Sequence, residues 1–558
     1  MRLLLHQEAA TRAAGGTAWL HRVAAAKGAD ESLALALESA AAVSAPAGPG
    51  QPGSAQLLEW ASDLSPDQDA RVRRLLSAAI QRACAGIPGS PDLWTRVGSC
   101  PPSALRSCAL AGRALLEGRY AEAGFHLNQA GAHDGQPAPV PAFAYGVRAA
   151  LYSATGRGEL AIAEAAEGLA EARGDRGLVR WLTRLLADGQ CRTEGPGPAL
   201  RTLAGLDEPA EPVTALAAGS YLVLAGQLRK AADELSNLAD PDDTEVPAEI
   251  RASAWVWQAL AFHLLGAWRD ADRAAAAAQE TRAPAARAVR ALLAAHLADW
   301  GAAEEHLRHA RASVAGSGVA GSGEDAAVFA DLAEVAIAHA QGTAGAAIAR
   351  HPALRRLAAV AGGHRALWLP YQSEALVRAG PSREAHAALA ELDALGEQVP
   401  YLRVVHCRLA GMLAERDREP LVARRRYESA WDLPSACHVV PFQVGLLEQS
   451  YGRLLCALGE GAEGTAWTER ARSSLLAAGS VAYVLRGPQG PPPGQFAAGI
   501  LTEREDEVAR LVMTGLTSQQ VADRLFISAR TVEYHLARIY GKLGVRSRRE
   551  LTGRRLGA

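Results

Sequence analysis

The sequence predicts an all-α protein: a long helical-repeat solenoid followed by a small C-terminal domain of four short helices. Three observations predict it. Alanine, leucine and arginine dominate the 558 residues while aromatics supply only 5%, a composition that reads as helical. A turn of the form Gly-x-(aromatic or Leu)-x-x-Ala recurs along the body. The last sixty residues carry helix start and stop signals that agree with one another. Residues 1–485 are therefore expected to form the repeat region, 486–499 a linker and 500–558 the terminal domain.

Taken in order, residues 1 to about 45 read as helix, with Trp19, Leu20, Val23, Leu33, Leu35 and Leu37 among alanines. SAPAGPGQPGS, residues 44–54, breaks the chain. Helical spacing resumes at Leu57, Leu58, Trp60 and Leu64, and a further helix is expected from Ser65 with Pro66 in its first turn. The recurring turn then appears as Gly118-Tyr120-Ala123, Gly226-Leu228-Ala231, Gly266-Trp268-Ala271 and, with alanine in place of glycine, Ala298-Trp300-Ala303. Weaker copies start at Gly156, Gly342, Gly380 and Gly459. The period is near 40 residues, and the two largest gaps are close to double the others, as if each hid a degenerate copy.

Such a repeat describes helical hairpins. Glycine permits the turn, the aromatic or leucine wedges between helices, and alanine lets the next helix approach. Each hairpin leaves an apolar face for its neighbour, which makes the array a solenoid held by nearest-neighbour contacts. It resembles divergent tetratricopeptide repeats, with a non-repetitive helical bundle as the alternative. Breaks rich in Gly, Pro and Asp at 131–141, 193–198, 240–247 and 313–325 read as loops between hairpins. RGPQGPPPGQFAAG, from Arg486 to Gly499, reads as a semi-rigid spacer.

In the terminal stretch, Thr502 with Glu505, Thr517 with Gln520 and Ser547 with Glu550 have capping-box spacing, and Gly515 and Gly544 supply stops. Val508, Leu511 and Val512 mark one helix face, Val521 and Leu525 a second, and Val532, Leu536, Ile539 and Leu543 a third. Only Phe526, Ile527 and Ser528 separate the second and third helices. That tight connection is helix-turn-helix geometry, with Ser528 capping the recognition helix.

The strings LTERE, GLTSQQVADRLFIS, TVEYHLARIYGKLGV and RSRREL resemble the LuxR-type helix-turn-helix of bacterial transcriptional regulators. The resemblance covers about a tenth of the chain. It implies a regulator, by family an activator, that binds double-stranded DNA as a homodimer and works with RNA polymerase. The fourth helix, with Ser547, Arg548 and Leu551, is the implied dimer contact. Glu533 departs from the lysine often found there, so base preference does not carry over. With the apolar face inward, Arg530, Thr531, Glu533, Tyr534, Arg538 and Lys542 face outward, with His535 near the edge. Arg530 suits guanine and Glu533 cytosine, whereas Arg538 and Lys542 suit phosphates. An exposed pair between Glu533 and Arg530 is the competing reading. Ser518 and Gln519, at the positive N-terminus of the scaffold helix, suit phosphate as well.

Charge points the same way. The net charge is -2, yet the tail from Gln495 is basic and the remainder acidic, so only the tail is ready for phosphates. Seven cysteines, an odd number without CxxC, argue against a disulfide framework or zinc ribbon and fit a reducing cytoplasm. MRLLLHQEAATR is too short a run for a signal sequence, and no segment approaches a membrane span. A cytoplasmic protein is expected, with no cofactor.

No GxxxxGK[ST], HExxH or GxSxG motif occurs. The glycine strings at Gly316, Gly318, Gly321 and at Gly48, Gly50, Gly53 follow no strand and read as loops. His306 and His309 read as a solvated helix face without a third ligand. Trp255 and Trp257 read as helix packing. No enzymatic activity is expected. TAWLHRVAAAKGADESLALALESAA and LSPDQDARVRRLLSAAIQRACAG resemble the region after the nucleotide-binding module of the large ATP-binding LuxR-type regulators, a module this sequence lacks. A natural short form and a start codon assigned too late both explain that. The body is expected to receive an effector, a protein or a small molecule. The alternative function is an interaction scaffold whose terminal helices bind protein, and the basic face of Arg530, Arg538, Lys542, Arg546, Arg548 and Arg549 speaks against it.

Overall fold

A computed structural model describes residues 16–43, 53–87, 89–131, 140–172, 175–206, 211–240, 246–281, 283, 285–316, 322–343, 345–360, 362–486, 503–525, 527–529, 531–533, 535–536 and 539. The described residues form helices and turns, with no strand among them. No helix among them is long and apolar enough to cross a membrane.

The opening segment departs from the single helix expected there. Two helices, Gly16–Ala25 and Glu31–Val43, stand in its place, and residues 1–15 lie outside the described residues. Gly28 takes a φ of +150° and Asp30 accepts a hydrogen bond from the Leu33 amide at 3.0 Å, so a glycine break and a fresh N-cap divide the run. Ser65 likewise does not start a helix. Its hydroxyl donates to the Ala61 carbonyl at 2.7 Å, at the end of Ser54–Leu64, and Asp67 caps Gln68–Cys84 instead by accepting from the Ala70 amide at 2.8 Å. Ser65 also receives Arg74 Nη1 at 2.5 Å. The Arg74 side chain, 1% exposed, reaches Glu31 and Glu38 at 2.8 Å each. A buried guanidinium with two carboxylates and a hydroxyl fixes how the first helices stack.

From Ala104 onward the helices pair as hairpins, such as Ala104–Leu116 with Tyr120–Gly131, Ala248–Leu264 with Trp268–Glu280 and Pro441–Ala457 with Gly461–Ala477. The first helix of one hairpin also packs on the first helix of the next through most of the body. That is solenoid stacking. The recurring turn is a helix stop: Gly118, Gly156, Gly226, Gly266, Gly342 and Gly459 all take φ between +71° and +90°. The next amide then reaches back five residues, Arg119 to Ala114 at 2.8 Å and Gln227 to Leu222 at 2.9 Å, which is the Schellman closure. Ala123, Ala231, Ala271 and Ala303, five positions after the turn residue, are each 0% exposed. In the Gly459 copy this place is Gly464, where a Cβ would stand 2.7 Å from the opposing Gly452 carbonyl oxygen.

Both long gaps hold a left-handed turn residue. Gly195, at φ +100°, follows Arg176–Thr193 in the first. In the second, Arg418 holds φ +63°, Glu419 N bonds the Ala414 carbonyl at 2.8 Å, and Ala423 is 0% exposed. Ala298 adopts +60° in the same way. Gly380 differs, with φ -85° and ψ 168°, because a residue preceding proline is driven to extended backbone. The wedge position is buried at Leu228, 2% exposed, but only half-buried at Trp268 and Trp300. Trp257 packs as expected, 3% exposed, edge-on to Phe329. Most of the breaks at 131–141 and 240–247, residues 317–321 of the break at 313–325, and the spacer from residue 487 lie outside the described residues, whereas 313–316 and 322–325 are helical, as parts of Trp300–Gly316 and Ser322–Ala340.

The stacked hairpins curl until their turns meet later helices. Gly226 abuts Tyr401 and Val399, and Gly266 abuts Pro441 and Ala478. Gln398 bonds both the Gly197 amide at 3.2 Å and the Glu194 carbonyl at 2.6 Å. One apolar cluster therefore runs from Ala187 to Tyr483. Within it His263, His296 and His339 stand among Phe442, Tyr371 and Tyr483, with ring centroids 4.5–5.5 Å apart. Burial lowers His263 to about 4, and it lowers His339 to about 4 against the upward pull of Glu374. His296 lies well below the usual imidazole range, through burial and then His263.

Relieving the left-handed strain at exposed Arg418 with Arg418→Gly should stabilise the chain by roughly 0.5–1 kcal/mol. Gly459→Ala, where a Cβ meets nothing within 4 Å, should destabilise it by about 1–2 kcal/mol through φ alone; denaturant unfolding reads both. The three buried imidazoles bind protons more readily unfolded than folded, so their contribution is full above pH about 6.5 and falls as pH drops toward about 4. The expected loss is up to about 1.4 kcal/mol per pH unit for each imidazole. Unfolding midpoints measured across that window check it, and a flat profile would contradict it.

Candidate nucleic-acid interface

The terminal helices form where their local signals place them. Glu503–Met513 ends at Gly515, whose φ is +85°, and Ser518–Leu525 follows. The Thr517 amide donates to Gln520 Oε1 at 2.8 Å while the Gln520 amide donates to Thr517 Oγ1 at 3.2 Å, a complete capping box. Residues 529, 531–533, 535–536 and 539 are helical, and Ser528 caps them by accepting from the Thr531 amide at 3.0 Å. Thr502, Gly544, Ser547 and Glu550 lie outside the described residues.

Val508, Val512, Val521, Val532 and Ile539 are each 0% exposed, with Leu536 at 1%. Leu511 is buried and Leu525 partly buried beside them; Leu543 lies outside the described residues. Arg504 Nη2 donates to the Leu525 carbonyl at 2.8 Å, which ties the first helix to the end of the second. The inward set leaves one surface polar. Glu533 and Gln519 are exposed, and Ser518, Thr531 and His535 are half-exposed.

Those residues are already engaged with one another. The Ser518 hydroxyl donates to Glu533 Oε1, which brings the start of the scaffold helix against the first turns of the recognition helix. Gln519 Nε2 donates to Asp523 Oδ1 at 2.9 Å, and the Thr531 and Ser528 hydroxyls lie 2.7 Å apart. Arg530, Tyr534, Arg538 and Lys542, and the dimer residues Ser547, Arg548 and Leu551, lie outside the described residues. The Ser518–Glu533 bond is a contact that sequence reasoning missed. Its only signal is a hydroxyl at the first scaffold position, which becomes informative once the crossing of the two helices is known. Chemically, the surface sets a carboxylate acceptor beside hydroxyl and amide donors at a helix N-terminus, a combination able to hydrogen-bond base edges and phosphates.

A second group escaped the sequence altogether. Val481, 0% exposed, belongs to the same apolar cluster as Val508, Val512 and Val521, with Ala298, Leu476 and Leu485 packed against it. Arg472 Nη2 donates to the Thr514 carbonyl. The Arg524 guanidinium lies 5.3 Å over the Trp268 ring, and burial lowers its pKa to about 10 against the pull of Asp299. The three helices are thus seated on the body.

Residues 499–553 match the profile of the family described as bacterial regulatory proteins, luxR family. A protein of Mycobacterium bovis named as an HTH-type transcriptional regulator is 41% identical over 95 residues, 17% of this chain and 10% of that protein. The transcriptional regulatory protein ComA of Bacillus subtilis is 42% identical over 59 residues, 11% of this chain and 28% of ComA. The fimbriae Z protein of Escherichia coli is 42% identical over 52 residues, 9% of this chain and 25% of that protein. This chain thus spans from 10% to 28% of the length of these curated relatives. The profile falls on the capping box, the tight turn and the three-helix core, and the C-terminal part of this chain is a LuxR-type helix-turn-helix domain.

Proposed function

We propose that this chain is a sequence-specific DNA-binding transcriptional regulator, an activator, controlled through its helical body. The observation that carries the reading is the exposed polar surface made by the first turns of the recognition helix and the start of the scaffold helix, backed by a fully apolar inner face. Arg530 is assigned to guanine and Glu533 to cytosine, with Thr531, Tyr534 and His535 around them. Arg538, Lys542, Ser518 and Gln519 hold phosphates. To contact a base, Glu533 must exchange its bond with Ser518 for one with DNA, so its gain in discrimination is a difference between two hydrogen bonds.

One recognition helix reads only a few base pairs. The chain therefore acts as a homodimer through Ser547, Arg548 and Leu551, on half-sites about one helical turn apart. RNA polymerase is the partner of activation, and a protein or small molecule acts on the repeats of residues 1–485. The spacer 486–499 then separates the repeats from the DNA-binding domain at 500–558. The chain works by binding rather than catalysis, in the cytoplasm.

Binding isotherms over a salt series, on cognate and scrambled duplexes, test the docking. Lys542→Ala should weaken both by the same factor and flatten the salt slope by about one unit. Glu533→Ala should relax preference at one base pair, at a cost on the cognate site of at most about 1–3 kcal/mol. An unchanged salt slope in Lys542→Ala would reject this orientation on DNA.

A further inference from the structure

We infer that helix Val481–Arg486 is a two-sided joint that couples the arrangement of the helical body to the seating of the helix-turn-helix domain. Its regulatory meaning rests on the DNA-binding reading; the mechanical coupling does not.

The helix has two faces with different partners. Val481 and Leu485, four apart, lie against the apolar core of the terminal domain. Tyr483 and Arg486, three apart, enter the body. The Tyr483 side chain is 0% exposed, with its hydroxyl 2.9 Å from His339 Nδ1 and its ring centroid 4.6 Å from that of Phe442. Arg486 Nη1 donates to the His339 carbonyl at 2.6 Å. Just before the helix, Ser480 Oγ lies 3.1 Å from His296 Nδ1.

The inner partners come from several hairpins at once. His296 ends Ala286–His296, His339 ends Ser322–Ala340 and Phe442 begins Pro441–Ala457. Behind them Glu374, 2% exposed, is held by Arg408 and Arg378 at 2.7 Å each and lies 3.2 Å from His339 Nε2. A shift between these hairpins therefore moves what Tyr483 and Arg486 grip. On the outer side, Trp268 stands between the turn into the joint and the terminal domain. Its Cβ would meet a Cβ built on Gly479, at the turn into the helix, at 2.8 Å, and its ring faces Arg524 of the domain.

Length makes the coupling obligatory. The helix has 6 residues, well below the ~12–15 at which an isolated helix becomes even marginal in water. It exists because both faces are occupied. Losing either seat withdraws support from the other, which is a coupling free energy between them and is reciprocal.

Hydrogen exchange on the full-length chain tests this at residues 481–486 and 503–513. Trp268→Ala, on the outer seat, should accelerate exchange about tenfold in both segments, and Tyr483→Phe, on the inner seat, should do the same severalfold. Arg524→Ala removes the Trp268 contact from the other side and replaces the first variant should that hairpin fail to fold. Acceleration confined to the segment on the altered side, or none in either, overturns the joint. DNA affinity measured in parallel separates the two readings: coupled exchange without DNA binding supports the joint and overturns the DNA-binding reading, whereas uncoupled exchange with intact DNA binding overturns the joint and leaves that reading standing.

Discussion

Most hairpins of the body depend on one residue accepting a left-handed backbone, the extended turn at Gly380 being the exception. Where that residue is glycine the turn carries no Cβ penalty, and the Schellman bond that follows aims the next helix back along the last. Ala298 and Arg418 take the same φ with side chains attached, so the turn is required of the backbone whichever residue occupies it. That explains why the repeat is degenerate in sequence but regular in structure. What the stack fixes is a dihedral angle and a small residue five positions later, and the residues between can drift.

An alanine-rich interior of this kind lets helices approach closely, but each buried methyl removes little apolar area from water. Register among so many similar faces then needs features that are not interchangeable. Arg74 with Glu31, Glu38 and Ser65 provides one near the start, and Glu374 with Arg378, Arg408 and His339 provides another in the middle. Burial alone would raise the Glu374 carboxyl, but Arg408, His339 and Arg378 outweigh it and hold the group well below the ordinary carboxylate range. A buried carboxylate with fixed partners is poor evidence of net stability and better evidence of a specified arrangement.

How much of this is legible in the sequence depends on separation along the chain. Thr517 reads Gln520 across three residues and Ser528 reads Thr531 across three, so caps, turn and apolar faces of the terminal domain are all visible locally. The hairpin turns are visible for the same reason, while Arg418 was hidden because a charged residue stands where glycine is expected. The Ser518–Glu533 bond needs the crossing of two helices. Gln398 with Glu194 spans 204 residues, and nothing in either neighbourhood announces it. Trp268 was visible as a repeat residue but not as the partner of Arg524, because a half-buried aromatic does not say what covers its other face.

Self-closure has a mechanical consequence that a linear solenoid lacks. In an open stack each hairpin feels only its neighbours, so a disturbance fades along the array. Here the turns at Gly195, Gly226 and Gly266 press against residues from Gln398 onward, and His296 meets Ser480 across 184 residues of chain while His339 meets Tyr483 across 144. A change in one hairpin therefore reaches the last helices by direct contact rather than by relay. The position of the terminal domain follows from the same closure: Val481 can be shared with its core only because the curl of the body brings Trp268 and Ala298 to that edge. A displacement anywhere between residues 187 and 483 of this single cluster has a short physical route to the helix that seats the terminal domain.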